Sequence, residues 1–147
     1  MSAVTSRGVI PRQRVTRRHG QLTPRDTPVL VRDVMDTQVT PVHPDTPLPE
    51  VRAAVLATWH RVVPVVDNGR LVGVVSATDL LRERVRSATV AETAADLMNP
   101  PTALTPHTTC VEAARLMLSA TETALPVVHE GGTLAAMVSV EDLLQAL

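Results

Sequence analysis

Few side chains in this chain of 147 residues are spaced to do covalent or metal chemistry. The single cysteine, Cys110, sits at an apparent helix start, where the helix field lowers a thiol pKa. No partner motif surrounds it, so it reads as a small apolar residue with no disulfide to form. His19, His43, His60, His107 and His129 show no two-ligand spacing on one helix face, and no Cys/His cluster accompanies them. A nucleophile–base pair and a Walker-type phosphate loop are also missing, and the only Gly-Gly pair, Gly131-Gly132, falls in a predicted turn. The expected protein is therefore not an enzyme and holds no metal. What remains is a set of small polar residues at helix starts, Ser76-Ala77-Thr78-Asp79 and Ser139-Val140-Glu141-Asp142, suited to capping and to binding.

Composition narrows the partners. Phe and Tyr are absent and Trp59 is the only aromatic residue, so the stacking that grips single-stranded nucleic acid has almost nothing to use. The net charge of −1 divides unevenly. Residues 1–28 hold six arginines and one acid, while the rest of the chain holds eight arginines and fourteen acids. The basic segment lacks periodicity and is rich in Arg, Thr and Pro, and it reads as a disordered arm. A regulated protein partner or nucleic acid would meet the charge of this arm, although no helical or aromatic recognition element supports the nucleic-acid case. No apolar run approaches the roughly 18 to 20 residues that a bilayer requires, and no secretory leader is visible, so a soluble cytoplasmic protein without a membrane role is expected.

The elements that must position the polar residues are written twice. Val34-Met35, Pro64-Val65-Val66 and Asp79-Leu80-Leu81 recur as Leu97-Met98, Pro126-Val127-Val128 and Asp142-Leu143-Leu144, at separations of 63, 62 and 63 residues. In the first copy Leu48, Val51, Val55 and Trp59 predict a helix ending near His60. Strands follow at Val62–Val66 and Leu71–Val75, joined through Asn68-Gly69, a type I′ hairpin signal. A helix then starts at Ser76, with Asp79 completing a capping box. The second copy has a helix over Val111–Ser119 behind a Thr109…Glu112 box, strands at Leu125–Val128 and Leu134–Val138, and a last helix capped by Ser139. Short extended pieces at Val39-Thr40 and Thr102–Leu104 precede each first helix, giving strand, helix, strand, strand, helix per copy. One such unit buries too little to be stable alone. The expected fold is α/β (α+β), two tandem β-α-β-β-α repeats packed about a pseudo-twofold axis, with an arm over 1–28 and repeats over 29–86 and 87–147.

The apolar-Met start, the Pro-Val-Val strand, the Asp-Asn-Gly turn and the run Gly73-Val74-Val75-Ser76-Ala77-Thr78-Asp79-Leu80 resemble the cystathionine β-synthase (CBS) domain, and the tandem resembles a Bateman module. The likeness covers roughly residues 29–147. It implies a non-catalytic regulatory module binding AMP, ADP, ATP or S-adenosylmethionine in clefts between the repeats. It gives the ribose hydroxyls to Asp79, with Ser76 and Thr78 as further donors, and a phosphate to Arg61. Ala103, Thr123, Ala124 and Leu125 of the other repeat would take the adenine. A second cleft would use Asp142 and Ser139. That cleft is the poorer one, because Glu141 stands where the first copy has Thr78, Thr123 and Ala124 supply no cation, and Ala136 replaces Gly73. The other reading is a ligand-independent homodimer, with Leu143, Leu144 and Leu147 suited to a helical interface.

Overall fold

The computed structural model of the chain describes residues 27–86 and 90–147. The predicted arm lies outside them, apart from Thr27 and Pro28.

Each copy folds as a helix, an antiparallel hairpin and a second helix. In the first, α1 spans Leu48–Ala57, β1 Val62–Asp67, β2 Arg70–Ser76 and α2 Ala77–Val85. A one-turn helix α3, Ala94–Leu97, opens the second, followed by α4 Cys110–Ala120, β3 Ala124–Val128, β4 Leu134–Ser139 and α5 Val140–Ala146. The β1–β2 turn places Asn68 at φ 54° and Gly69 at φ 80°, the positive pair that a type I′ turn needs. Both hairpins shift register at the same point, between Val65 and Val66 and between Val127 and Val128, so the duplication extends to the irregularity.

Three local expectations are corrected. The helix α1 stops at Ala57 rather than near His60, because Thr58 turns extended and its hydroxyl donates to the Val55 carbonyl at 2.9 Å. Trp59 therefore leaves the apolar face and is 56% exposed. The extended piece foreseen at Val39-Thr40 pairs two residues later, at a single parallel bridge from Val42 to Val65, whereas Leu104 makes the matching bridge to Val127 as expected. Val39 packs instead between the repeats. The box at Thr109 is half formed, with Thr109 Oγ1 accepting from the Glu112 amide at 3.1 Å.

The opening segment of each copy packs on the other copy. Val31 is fully buried among Leu104, Leu125, Val127 and Val138 of the second repeat, and Ala94 among Val51, Val63 and Val75 of the first. Backbone bonds fix both crossings: Val31 N–H to Thr108 O (2.8 Å) and Cys110 N–H to Val29 O (2.8 Å) on one side, Leu48 N–H to Glu92 O (3.0 Å) and Ala94 N–H to Thr46 O (3.0 Å) on the other. Asp36 exchanges two bonds with Met137, and Asn99 with Val74. Between the hairpins lies a third cluster of Val62, Val74, Ala124 and Met137. Cys110 is buried in the second core, and burial pushes its thiol pKa up, the behaviour of a packing residue.

The difference between Gly73 and Ala136 belongs to this packing. A Cβ on Gly73 would stand 2.9 Å from Met98 Cβ and Sδ. Gly73→Ala is accordingly expected to cost about 1–3 kcal/mol as overpacking. Ala136→Gly at the matching place should lose only about 0.5–1 kcal/mol of strand stability. Urea melts of the two variants test this, and equal costs would contradict the packing account.

Candidate functional site

Where β2 gives way to α2, Ser76 has extended dihedrals and caps the helix, its Oγ accepting from the Asp79 amide at 3.2 Å. Asp79 Oδ2 returns the bond, accepting from the Ser76 amide at 2.8 Å and from its hydroxyl at 3.0 Å. Asp79 Oδ1 accepts from Arg82 Nη1 at 3.2 Å. The carboxylate is 11% exposed, while the arginine side chain is 70% exposed. One oxygen of Asp79 is thus fixed by the helix start, and the other is covered by a displaceable arginine.

This helix start forms one wall of a cleft of about 760 Å³ between the repeats, within the size range of small-molecule sites. The opposite wall comes from the turn between α4 and β3, where Thr121 takes a left-handed conformation (φ 58°) and sends Glu122 and Thr123 toward α2. Glu141 and Trp59 complete the rim. Thr123 Oγ1 donates to the His60 carbonyl at 2.9 Å, tying the two walls together.

Arg61 lines this cleft but its guanidinium is engaged. Its φ is 63°, and Nη1 donates to the carbonyls of Leu56 (2.5 Å) and Thr58 (2.6 Å), so the charge caps the C-terminal end of α1. Of the first-cleft residues singled out from sequence, Ser76, Thr78, Asp79, Arg61 and Thr123 do line one cavity. Ala124 and Leu125 are buried in the cores beneath it, and Ala103 is exposed away from its lining. Ser139 and Asp142 repeat the reciprocal cap, with Ser139 N–H donating to Asp142 Oδ2 at 2.9 Å and Asp142 N–H to Ser139 Oγ at 3.2 Å. Ser139 is buried, and neither residue lines this cleft or the smaller cavity beside it. A smaller cavity of about 340 Å³ on that side is bounded by Val39, Thr40, Trp59, His60, Val62 and Met137.

Two residues that the sequence reading passed over set the electrostatics. Burial pushes the Glu122 pKa up, Asp79 pushes it further, and Arg82 pulls it back. Burial lowers the His60 pKa against the opposing pull of Asp142 and Asp36, and its Nδ1 has no hydrogen-bond partner among the described residues. The two occupy matching places. The Arg61 carbonyl accepts from the Ala77 amide and the Thr123 carbonyl from the Val140 amide, both at 3.0 Å, so His60 and Glu122 each precede equivalent residues. That equivalence was readable from the spacing of Pro64 and Pro126; the facing carboxylate was not. No group of three or more His, Cys, Asp or Glu side chains capable of holding a metal occurs among the described residues. No helix among them is long and apolar enough to cross a membrane.

Comparison with known proteins agrees with this architecture. A crystal structure of CBSX2 in complex with AMP is 30% identical and superposes with a TM-score of 0.72, covering 80% of this chain and 95% of that one. An uncharacterized conserved protein of Pyrococcus horikoshii is 34% identical with a TM-score of 0.70, over 80% of this chain and 53% of its own. An uncharacterized protein of Methanocaldococcus jannaschii is 29% identical over 122 residues, 80% of this chain; the match spans 44% of that relative's length. The CBS domain family matches residues 31–86 and again 94–147, and with the crossed pair of repeats this makes the chain a member of the CBS domain family carrying two such domains in tandem.

Proposed function

We propose that this chain is a non-catalytic regulatory module that binds an adenosine-containing ligand in the Asp79 cleft. The observation that carries the reading is the juxtaposition of Ser76, Thr78 and Asp79 from one repeat with Thr123 from the other across a single open cavity. Asp79 Oδ2 is held by the helix start, leaving Oδ1 to accept from a ribose hydroxyl once the exposed Arg82 swings aside. The similar CBSX2 structure holds AMP, which supports the ligand class. Because both repeats contribute to the cleft, bound ligand favours one relative arrangement of them, which is the physical basis for sensing. The smaller cleft, with Asp142 turned to capping, is given no ligand in this reading.

Calorimetry with adenosine, AMP, ATP and S-adenosylmethionine tests the assignment. Asp79→Asn keeps an acceptor for the Ser76 amide and is expected to weaken binding at least tenfold, while Asp142→Asn leaves affinity unchanged. Equal affinities in all three proteins would refute it.

A second reading, assembly as a homodimer, has its own observation. Between α4 and α5 runs a groove lined by Ala114, Met117, Leu118, Leu143, Leu144 and Leu147. Leu143 belongs to the core, but Leu118 is 80% exposed and Leu144 71%. A twofold axis through this groove would let a second copy cover it with the same residues. Light scattering is expected to report a dimer that Leu144→Glu converts to monomer. A wild-type monomer at micromolar concentration would remove this reading.

A further inference from the structure

We infer that the Asp79 cleft is built against phosphate, and that its ligand is an adenosine whose 5′ substituent is uncharged or cationic, a thioether or sulfonium nucleoside, with Glu122 as the residue that selects on charge. This rests on the adenosine reading above and adds to it which member of the class is taken.

The positive groups of the cleft are already engaged. Arg61 donates to two carbonyls at the end of α1, and withdrawing it would give up its charge interaction with the negative end of that helix. Arg82 holds Asp79 Oδ1, and it also stands near enough to Glu122 to lower that residue's pKa. A displaced Arg82 therefore has a second carboxylate waiting for it. Of the amides at the start of α2, the other usual anion donors, all but that of Thr78 are spent as well. Ser76 N–H is taken by Asp79 Oδ2, Ala77 N–H by the Arg61 carbonyl at 3.0 Å, and Asp79 N–H by Ser76 Oγ.

The negative groups are in excess. Asp79, Glu122 and Glu141 face the cavity against the two arginines, which leaves it one charge negative. A phosphate monoester would add up to two more negative charges in a partly desolvated space. At separations of about 6 Å and an effective dielectric near 20, each added like charge costs about a hundredfold in affinity before screening, and at least tenfold after it. A sulfonium nucleoside with an amino-acid tail carries a net positive charge and brings the cleft to neutrality.

The fold does not force this charge. At the equivalent place in the other repeat stands His60, whose pKa is lowered by burial and which faces Asp142 as Glu122 faces Asp79. The backbone accepts a neutral imidazole there, so the carboxylate at residue 122 is a property of this cleft rather than of the repeat.

Calorimetry on the full chain at pH 7.5, in low and high salt, provides the test. Adenosine serves as reference, with 5′-methylthioadenosine, S-adenosylmethionine, AMP and ATP as probes. S-adenosylmethionine and methylthioadenosine are expected to bind at least tenfold tighter than AMP, with ATP weakest, and added salt should narrow the gap. Glu122→Gln is expected to raise the AMP-to-adenosine affinity ratio about tenfold and to lower that of S-adenosylmethionine. The same variant should melt at a higher temperature at pH 7, because it removes a desolvated carboxylate facing Asp79. That gain should disappear as the pH falls through the raised Glu122 pKa, where the wild-type carboxyl is protonated and no longer pays for its ionisation. AMP binding as tightly as adenosine, or a ratio unmoved in Glu122→Gln, would overturn the charge selection and leave the adenosine reading standing. Binding of none of the five probes would overturn both.

Discussion

Everything in this molecule depends on the exchange of opening segments between two units that cannot close their own cores. A hairpin with two helices leaves one sheet face and the neighbouring helix ends uncovered, and the apolar surface available to each copy is built almost without aromatic residues. Val31 crossing to the second repeat and Ala94 crossing to the first supply what is missing, and the backbone bonds that accompany them leave few polar groups unpaired at the crossings. The central cluster of Val62, Val74, Ala124 and Met137 then has no solvent to face. Each repeat is consequently a unit of sequence more than a unit of packing, and the relative position of the repeats is set by the same contacts that stabilise them.

That constraint creates the site. Holding β1 and β3 together at the pseudo-axis brings the end of β2 opposite the turn before β3, so a cleft between α2 and the α4–β3 turn is a by-product of core formation. The side chains at its edge serve the fold first: Ser76 and Asp79 form a reciprocal cap whose contribution is about 1 kcal/mol without any ligand. In the proposed function, binding uses what the cap leaves over, a single carboxylate oxygen behind an exposed arginine. The second repeat shows the same cap, but there Ser139 is buried and Asp142 is absent from the lining of both cavities. A capping motif is therefore necessary for such a site and insufficient to define one.

Legibility in the sequence followed the range of the interaction. The tandem repeat, the Asn68-Gly69 turn and the caps at Ser76 and Ser139 are local patterns, and they appear in the structure where spacing put them. The end of α1 is hidden in the sequence because Trp59 continues the apolar period beyond Ala57. What stops the helix is a pair of side-chain bonds, from Thr58 and from Arg61, that no periodicity encodes. Arg61 was legible as a cation beside a cleft, but its left-handed backbone turns the guanidinium back onto its own helix. Of the wall expected from Ala103, Ala124 and Leu125, the last two alternate into the cores on a strand buried on both faces, which a short apolar run does not reveal. Glu122 carried no local signal, since its significance comes from Asp79, which is 43 positions away in the chain and across the cleft.

The differences between the copies then separate into two kinds. Gly73 against Ala136 is a packing difference, decided by Met98 lying directly on the first hairpin. His60 against Glu122 is an electrostatic one, since the surrounding bonds, Ala77 to Arg61 and Val140 to Thr123, are the same in both repeats. A duplicated fold holds the backbone constant and so isolates what a side chain does. In one repeat the residue near the capping aspartate is a neutral ring bordering both cavities; in the other it is a carboxylate on the larger, open one. Repulsion between Glu122 and Asp79 disfavours the empty fold and is relieved by protonation or by a neighbouring positive charge. Such an arrangement lowers the stability of the empty fold, and the inferred preference for a cationic ligand is what would offset it.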